Sequence, residues 1–316
     1  MNHNAPVIQT ENLSKVYQSR KASVRALDHL NLSVQQGEIF GYLGPNGAGK
    51  TTTIRLLLDL IRPTEGRARL FGQDAQANSV EIHKRIGFLP GELNLWKNLT
   101  GAQIVDTIGR IRGGVNTAYV HQLTERLSLD TSIRFRSYST GNKRKLGLVL
   151  ALMSQPDLLI LDEPSSGLDP LMQQTFNELM LEAQKEGRTV FLSSHVLSEV
   201  QAICDRVGIL RGGQLKAVER VSDITHTDFR WVTLRLREAV TPAQLAGVPG
   251  VSDVSQTDEG LRLRLIGDFD PLLRRIGDFY VQDIKVQEPS LEEIFLTFYD
   301  NHGQPEDETA RVGVTA

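Results

Sequence analysis

Gly44-Pro45-Asn46-Gly47-Ala48-Gly49-Lys50-Thr51 fits the spacing G-x-x-x-x-G-K-[ST] without a mismatch, and each residue type has a task in that pattern. The glycines let backbone N–H groups point inward at phosphate oxygens, where a side chain would block the approach. Lys50 can reach the β and γ phosphates, and the Thr51 hydroxyl can ligate Mg²⁺, with Thr52 continuing the site. A second segment far downstream offers acid–base chemistry. Leu158-Leu159-Ile160-Leu161 is a continuous apolar run that ends in Asp162-Glu163. Asp162 can hold Mg²⁺ through water, and Glu163 can take a proton from an attacking water. Together the two segments imply a nucleoside triphosphate and Mg²⁺ as ligands.

This chemistry needs a strand, a tight loop and a helix in that order. Ile39–Leu43 is apolar and reads as a buried strand, and residues 52–60 have helix-forming character. The start of that helix adds a field favourable to negative charge. The run before Asp162 reads as a strand buried on both faces. An acidic residue at the C-terminal end of such a strand sits where open α/β sheets bind ligands.

From about residue 7 to 225 the chain resembles the ATP-binding subunit of ABC (ATP-binding cassette) transporters. Ser165-Ser166-Gly167-Leu168-Asp169 resembles that family's D-loop. Val190-Phe191-Leu192-Ser193-Ser194-His195 resembles the strand ending in its switch histidine. Tyr17 falls where the family stacks an aromatic ring on adenine, and Tyr138-Ser139-Thr140-Gly141-Asn142-Lys143 occupies the signature position. The resemblance implies an α/β P-loop NTPase of ABC type, with a mixed sheet core, an antiparallel β layer and a helical subdomain at about 94–140. It implies ATP contacts from Tyr17, Ser139, Gly141 and Asp169 and a γ-phosphate role for His195. It also implies a dimer, with a second copy or a homologous subunit, holding two ATP molecules between phosphate loop and signature.

Two departures stand out. Thr140 and Asn142 replace the second Gly and the Gln of the usual signature, and a β-branched Thr140 restricts the backbone. Leu89-Pro90-Gly91-Glu92 has glycine where the family commonly has the Gln that senses Mg²⁺ and the γ-phosphate. Glu92 is a hard oxygen donor that could replace it, or a residue contacting a membrane partner. Apart from the resemblance, His195 could be a structural histidine and Tyr17 a core aromatic. Cys204 reads as a small buried residue, not a nucleophile.

Composition narrows the class. The 316 residues leave room for one large domain and a smaller one. A formal net charge of −3 and a pI near 6.2 give no nucleic-acid footprint. One cysteine excludes an internal disulfide framework and fits a reducing compartment. The start of the chain lacks the apolar core of a signal peptide. The longest apolar stretch, 146–153, falls far short of the roughly 20 residues of a membrane span.

Along the chain, residues 7–34 read as strands of an antiparallel layer that 24–28 joins. Residues 94–130 read as helix-rich, with Ile104, Ile108 and Ile111 at helical spacing. Gly212-Gly213 marks a turn, and a composition shift follows at 221–228. Residues 229–298 have their own rhythm. Val232, Leu234 and Leu236 alternate with Thr233, Arg235 and Arg237, and Leu261, Leu263 and Leu265 alternate with Arg262 and Arg264. With helices after Thr241-Pro242 and over 271–279, and strands at 251–255 and 281–286, the order βαββαβ suggests a small ferredoxin-like α+β domain. The four arginines would share one sheet face, either solvated or facing an acidic partner or anionic lipid. Pro289-Ser290-Leu291-Glu292-Glu293-Ile294-Phe295 opens a last helix and resembles the C-terminal extension of ABC-2 type drug and antibiotic exporters. The tail 301–316 reads as disordered.

The function implied is a magnesium-dependent ATPase at the cytoplasmic face of the cell membrane. It would drive a separate membrane-spanning permease that exports drugs, antibiotics or lipophilic compounds. An importer ATPase, or a soluble ABC protein acting on ribosomes or DNA, is the alternative.

Overall fold

A computed structural model describes residues 6–18, 23–225, 229–238 and 240–287. Residues 289–295 and 301–316, read above as a last helix and a tail, lie outside them. The chain forms two compact units, Met1–Val221 and Ser222–Ala316.

In the first unit β1 (Pro6–Gln18), β2 (Ser23–Leu30) and β3 (Ser33–Gln35) precede β4 (Ile39–Leu43), the loop 44–49 and α1 (Lys50–Leu57). Then come β5 (Glu65–Leu70), β6 (Gln73–Asp74), α2 (Ser79–Lys84) and β7 (Ile86–Leu89). Three helices follow, α3 (Gly101–Ile111), α4 (Thr117–Arg126) and α5 (Thr140–Leu152). The chain returns through β8 (Leu158–Asp162), α6 (Pro170–Lys185), β9 (Thr189–Ser194), α7 (Leu197–Ile203), β10 (Arg206–Arg211), β11 (Gln214–Arg220) and α8 (Val221–Thr225).

Two sheets result. β1 pairs antiparallel with β2, β3 and β5, which makes the expected antiparallel layer. The other sheet has the order β11-β10-β4-β9-β8-β7, parallel apart from the β10–β11 hairpin. Every residue of β4, β8 and β9 is buried, so these strands read as apolar runs and not as alternating patterns. Phe40 and Phe191 stack at 5.9 Å across β4 and β9. The Tyr42 hydroxyl meets Thr53 Oγ1 at 3.1 Å, tying β4 to α1 on either side of the phosphate loop. Burial pushes the Tyr42 phenol far above its ordinary pKa, so it stays a neutral hydrogen-bonding group.

The helices differ from the sequence reading in detail. α1 starts at Lys50 and stops at Leu57, two to three residues earlier at each end than expected, because left-handed Gly49 already serves as its N-cap. α3 starts at Gly101 behind a capping box in which Thr100 and Gln103 satisfy each other's backbone N–H. Ile104 is fully buried, whereas Ile111 is 75% exposed in the last turn. The Leu146–Met153 run lies in and just after α5 with every residue buried. Among the described residues no helix is long and apolar enough to cross a membrane.

The second unit contains β12 (Phe229–Leu236), α9 (Pro242–Leu245), β13 (Val251–Thr257), β14 (Gly260–Ile266), α10 (Asp270–Ile276) and β15 (Val281–Gln287). The antiparallel order β13-β14-β12-β15 is that of a ferredoxin-like fold. Val232, Leu234, Leu261, Leu263, Leu265, Leu272 and Ile276 form its core. Pairing of Thr233 with Arg262 and Trp231 with Arg264 puts Arg235, Arg262 and Arg264 on the opposite face. Arg237 follows the last residue of β12, with its guanidinium 5.5 Å from the centre of the Tyr280 ring. Arg262 and Arg264 sit 4.1 Å over the rings of Trp231 and Phe229, so both arginines pack within their own sheet. Arg264→Ala should therefore lower the stability of this unit by about 1 kcal/mol. The urea midpoint of the full chain, followed by Trp231 fluorescence with Trp96→Phe, reads the change. An unmoved midpoint would make the arginine an idle surface charge.

Candidate active site

The phosphate loop is shaped by its neighbours. A Cβ on Gly44 would lie 2.4 Å from the Leu210 carbonyl oxygen, so only glycine lets the loop leave β4 at this angle. Lys50, 6% exposed, folds over the loop and donates to the carbonyls of Gly44 (2.6 Å) and Pro45 (3.3 Å). Pro45, Asn46 and Gly47 are exposed at the rim, while Ala48 and Gly49 are buried beneath.

The ends of two strands, β8 and β9, bring two carboxylates and a histidine to this loop. Asp162 closes β8, 3% exposed, and accepts from Thr51 Oγ1 at 2.9 Å and Ser193 Oγ at 2.7 Å. The next residue, Glu163, has φ of 50°, a left-handed backbone uncommon for a side chain of its size. Such a backbone is kept where surrounding contacts over-determine it. Here the Glu163 N–H donates to Ser193 Oγ at 3.0 Å. Its carboxylate bridges Lys50 Nζ at 3.1 Å and His195 Nδ1 at 2.7 Å. Glu163, Lys50 and His195 thus satisfy one another. A triphosphate arriving at Lys50 would compete with Glu163 for the ammonium and leave the carboxylate free to act as a base.

Thr51 and Asp162 supply two hard oxygen donors within 2.9 Å of each other. Among the described residues no cluster of three or more His, Cys, Asp or Glu could hold a metal alone. Hard oxygen donors such as Thr51 and Asp162 suit Mg²⁺, which keeps waters and takes substrate phosphates as its other ligands.

The remaining sequence candidates lie outside this cluster. Ser139 caps α5, its Oγ accepting from Asn142 N, and Thr140 and Gly141 form the first helical turn. A β-branched Thr140 is therefore accommodated in ordinary helix, with its methyl near Gly167. Asp169 caps α6 by accepting from Met172 N at 3.0 Å. Among the described residues no hydrogen bond joins Ser139, Gly141 or Asp169 to the phosphate loop. Tyr17 is 39% exposed on β1, with Lys15 Nζ 5.3 Å from its ring centre, so it is not a core aromatic. Cys204 is buried, and burial raises its thiol well above the ordinary range, consistent with an inert packing residue.

Gly91 lies against the Asp162 carboxylate: a Cβ there would be 3.1 Å from Asp162 Oδ2. Glu92 is exposed beside it. Glu92→Ala is accordingly expected to leave the Mg²⁺ concentration for half-maximal hydrolysis unchanged. A rise in that concentration would return Glu92 to the metal site.

Two polar residues escaped the sequence reading. Ser193 holds both acidic residues, and its only signal was a serine pair ending an apolar strand. Arg144, two residues past Asn142, is buried against Pro90 and Gly91, and nothing in its local pattern announces that.

A parallel sheet with phosphate loop, acidic pair and histidine at the C-terminal ends of β4, β8 and β9 defines a P-loop ATPase. Residues 27–166 match the family described as ABC transporter. The chain is 33% identical over 297 residues to the bacitracin transport ATP-binding protein BcrA of Enterococcus faecalis, covering 92% of this chain and 95% of that one. BcrA of Bacillus licheniformis is 41% identical over 212 residues, 66% of this chain and 68% of its own length. A solved ATP-binding subunit of an ABC transporter superposes with a TM-score of 0.62 at 28% identity, over 69% of this chain and 91% of that structure. The chain belongs to the ABC transporter ATP-binding proteins and is an ATP-hydrolysing transporter subunit.

Proposed function

We propose that this chain is the ATPase of a membrane exporter of antibiotics or related lipophilic compounds. The observation that carries the enzymatic part is the convergence of Lys50, Thr51, Asp162, Glu163 and His195 from three strand ends. In this reading the loop 44–49 and Lys50 bind the phosphates, with Thr52 beside them. Thr51 and Asp162 hold Mg²⁺, Glu163 is the general base and His195 contacts the γ-phosphate. Tyr17 stacks on adenine, while Ser139, Gly141 and Asp169 meet ATP bound to a second subunit. ATP binding closes the dimer and hydrolysis reopens it. The helical subdomain at about 94–140 passes that motion to a permease in a separate chain, which keeps the ATPase at the cytoplasmic face of the membrane. Residues 7–225 form the ATPase domain and residues 229–298 the small one. An antibiotic as cargo is supported by the names of two relatives, both bacitracin transport ATP-binding proteins, and export, as opposed to import, by the resemblance of residues 289–295 to the extension of ABC-2 type exporters.

Affinity purification from its own cells tests the reading. A polytopic membrane protein should co-purify, and deleting the chain should raise susceptibility to a peptide antibiotic such as bacitracin. Recovery with ribosomes or DNA and no membrane protein would sink it.

A further inference from the structure

Arg144 is 7% exposed, and its hydrogen bonds all run to main-chain carbonyls of other segments. It donates to Pro90 (2.8 Å) and Gly91 (2.9 Å) in the loop after β7, and at 3.4 Å to Asp162 at the end of β8 and Ser166 beyond it. The side chain itself stands on α5, one turn from the Ser139 cap. Burial works against its charge, while the nearby Asp162 and Glu163 carboxylates favour it. A methionine would fill the same space without that cost, so packing alone does not account for a guanidinium here. What the guanidinium adds is a rigid fork of donors that fixes several carbonyls at once.

Those carbonyls belong to the segments whose relative position sets the metal seat. Gly91 has no side chain to reach a metal, yet its Cα faces Asp162 Oδ2 closely enough that a Cβ would crowd it. The backbone of the 90–91 loop is therefore one wall of the metal site. We infer that Arg144 is a positioning residue for hydrolysis: it clamps the 90–91 loop and the α5 helix to the acidic end of β8, so that the Asp162 carboxylate and the Glu163 base keep one geometry. The clamp connects the metal carboxylate to the helix that carries the signature and so gives movements of α5 a direct route to Asp162. This inference rests on the reading of Asp162 as the Mg²⁺ carboxylate.

The test compares wild type, Arg144→Lys, Arg144→Met and Asp162→Asn. The readouts are affinity for a fluorescent ATP analogue without Mg²⁺, kcat, and the Mg²⁺ concentration for half-maximal hydrolysis. Arg144→Met should bind the analogue within about twofold of wild type, need several-fold more Mg²⁺, and lose about tenfold or more in kcat, the scale of one charge-assisted hydrogen bond. Arg144→Lys, which keeps the charge without the fork, should fall between. Wild-type Mg²⁺ dependence in Arg144→Lys and Arg144→Met overturns the inference, as does a kcat loss matched by an equal loss of analogue affinity. If Arg144→Met does not fold, a wild-type Mg²⁺ dependence in Arg144→Lys alone overturns it. Asp162→Asn separates the two readings. Wild-type Mg²⁺ dependence there removes the metal role of Asp162, whereas its loss there beside normal Arg144 variants removes only the clamp.

Discussion

Glu163→Gln should lower ATP turnover by about 10²–10⁴-fold while ATP still binds, because a general base contributes on that scale and the amide keeps the shape. The geometry adds a second expectation. Glu163 lies 3.1 Å from Lys50 Nζ. ATP must therefore replace one anionic partner of Lys50 with another. Removing the carboxylate charge releases the ammonium in advance, so the variant should bind ATP a few-fold more tightly, about the worth of a partly exposed ion pair. Tight binding without hydrolysis should trap an ATP-bound dimer, visible by light scattering at MgATP saturation. Near-normal hydrolysis would assign the base to another residue. Unchanged affinity would mean that the Lys50–Glu163 contact does not oppose nucleotide binding.

Lys50→Ala should weaken ATP binding by about 10–100-fold, the range for losing one hydrogen bond between charged groups. Isothermal titration with Mg²⁺ present, on the Glu163→Gln background, keeps hydrolysis from confusing the reading. The loss should be larger on that background than with Glu163 intact, because only in the latter does ATP binding break the Lys50–Glu163 pair. The difference between the two losses is the coupling of a double-mutant cycle. Equal losses would mean that the two side chains act independently.

The phosphate loop and the acidic pair were legible in the chain for local reasons. Each motif is contiguous, and its flanks carry the apolar runs of strands buried on both faces, at Ile39–Leu43 and Leu158–Asp162. The second unit was legible for a related reason: Leu261, Leu263 and Leu265 alternate with arginines, and a period of two assigns the faces of a strand. Helix ends were less legible. Capping depends on backbone angles such as that of Gly49, which residue type permits but does not dictate.

What the sequence determined by itself is which groups are present and which elements carry them: a phosphate loop between strand and helix, two carboxylates at a strand end, a histidine at another. Only the tertiary structure decided which of them touch. Thr51 and Asp162 are 111 positions apart, Glu163 and His195 are 32, and Arg144 and Pro90 are 54. Their contacts follow from the order β4-β9-β8-β7, which sets side by side strands that are distant in the chain. It also decided that Arg262 and Arg264 lie over the rings of Trp231 and Phe229, and that Gly91 meets Asp162 through its backbone. The physical reason is common to all of these. Propensity and periodicity act over a few residues, whereas a charged side chain takes its partner from whatever the packing of buried strands brings within about 3 Å.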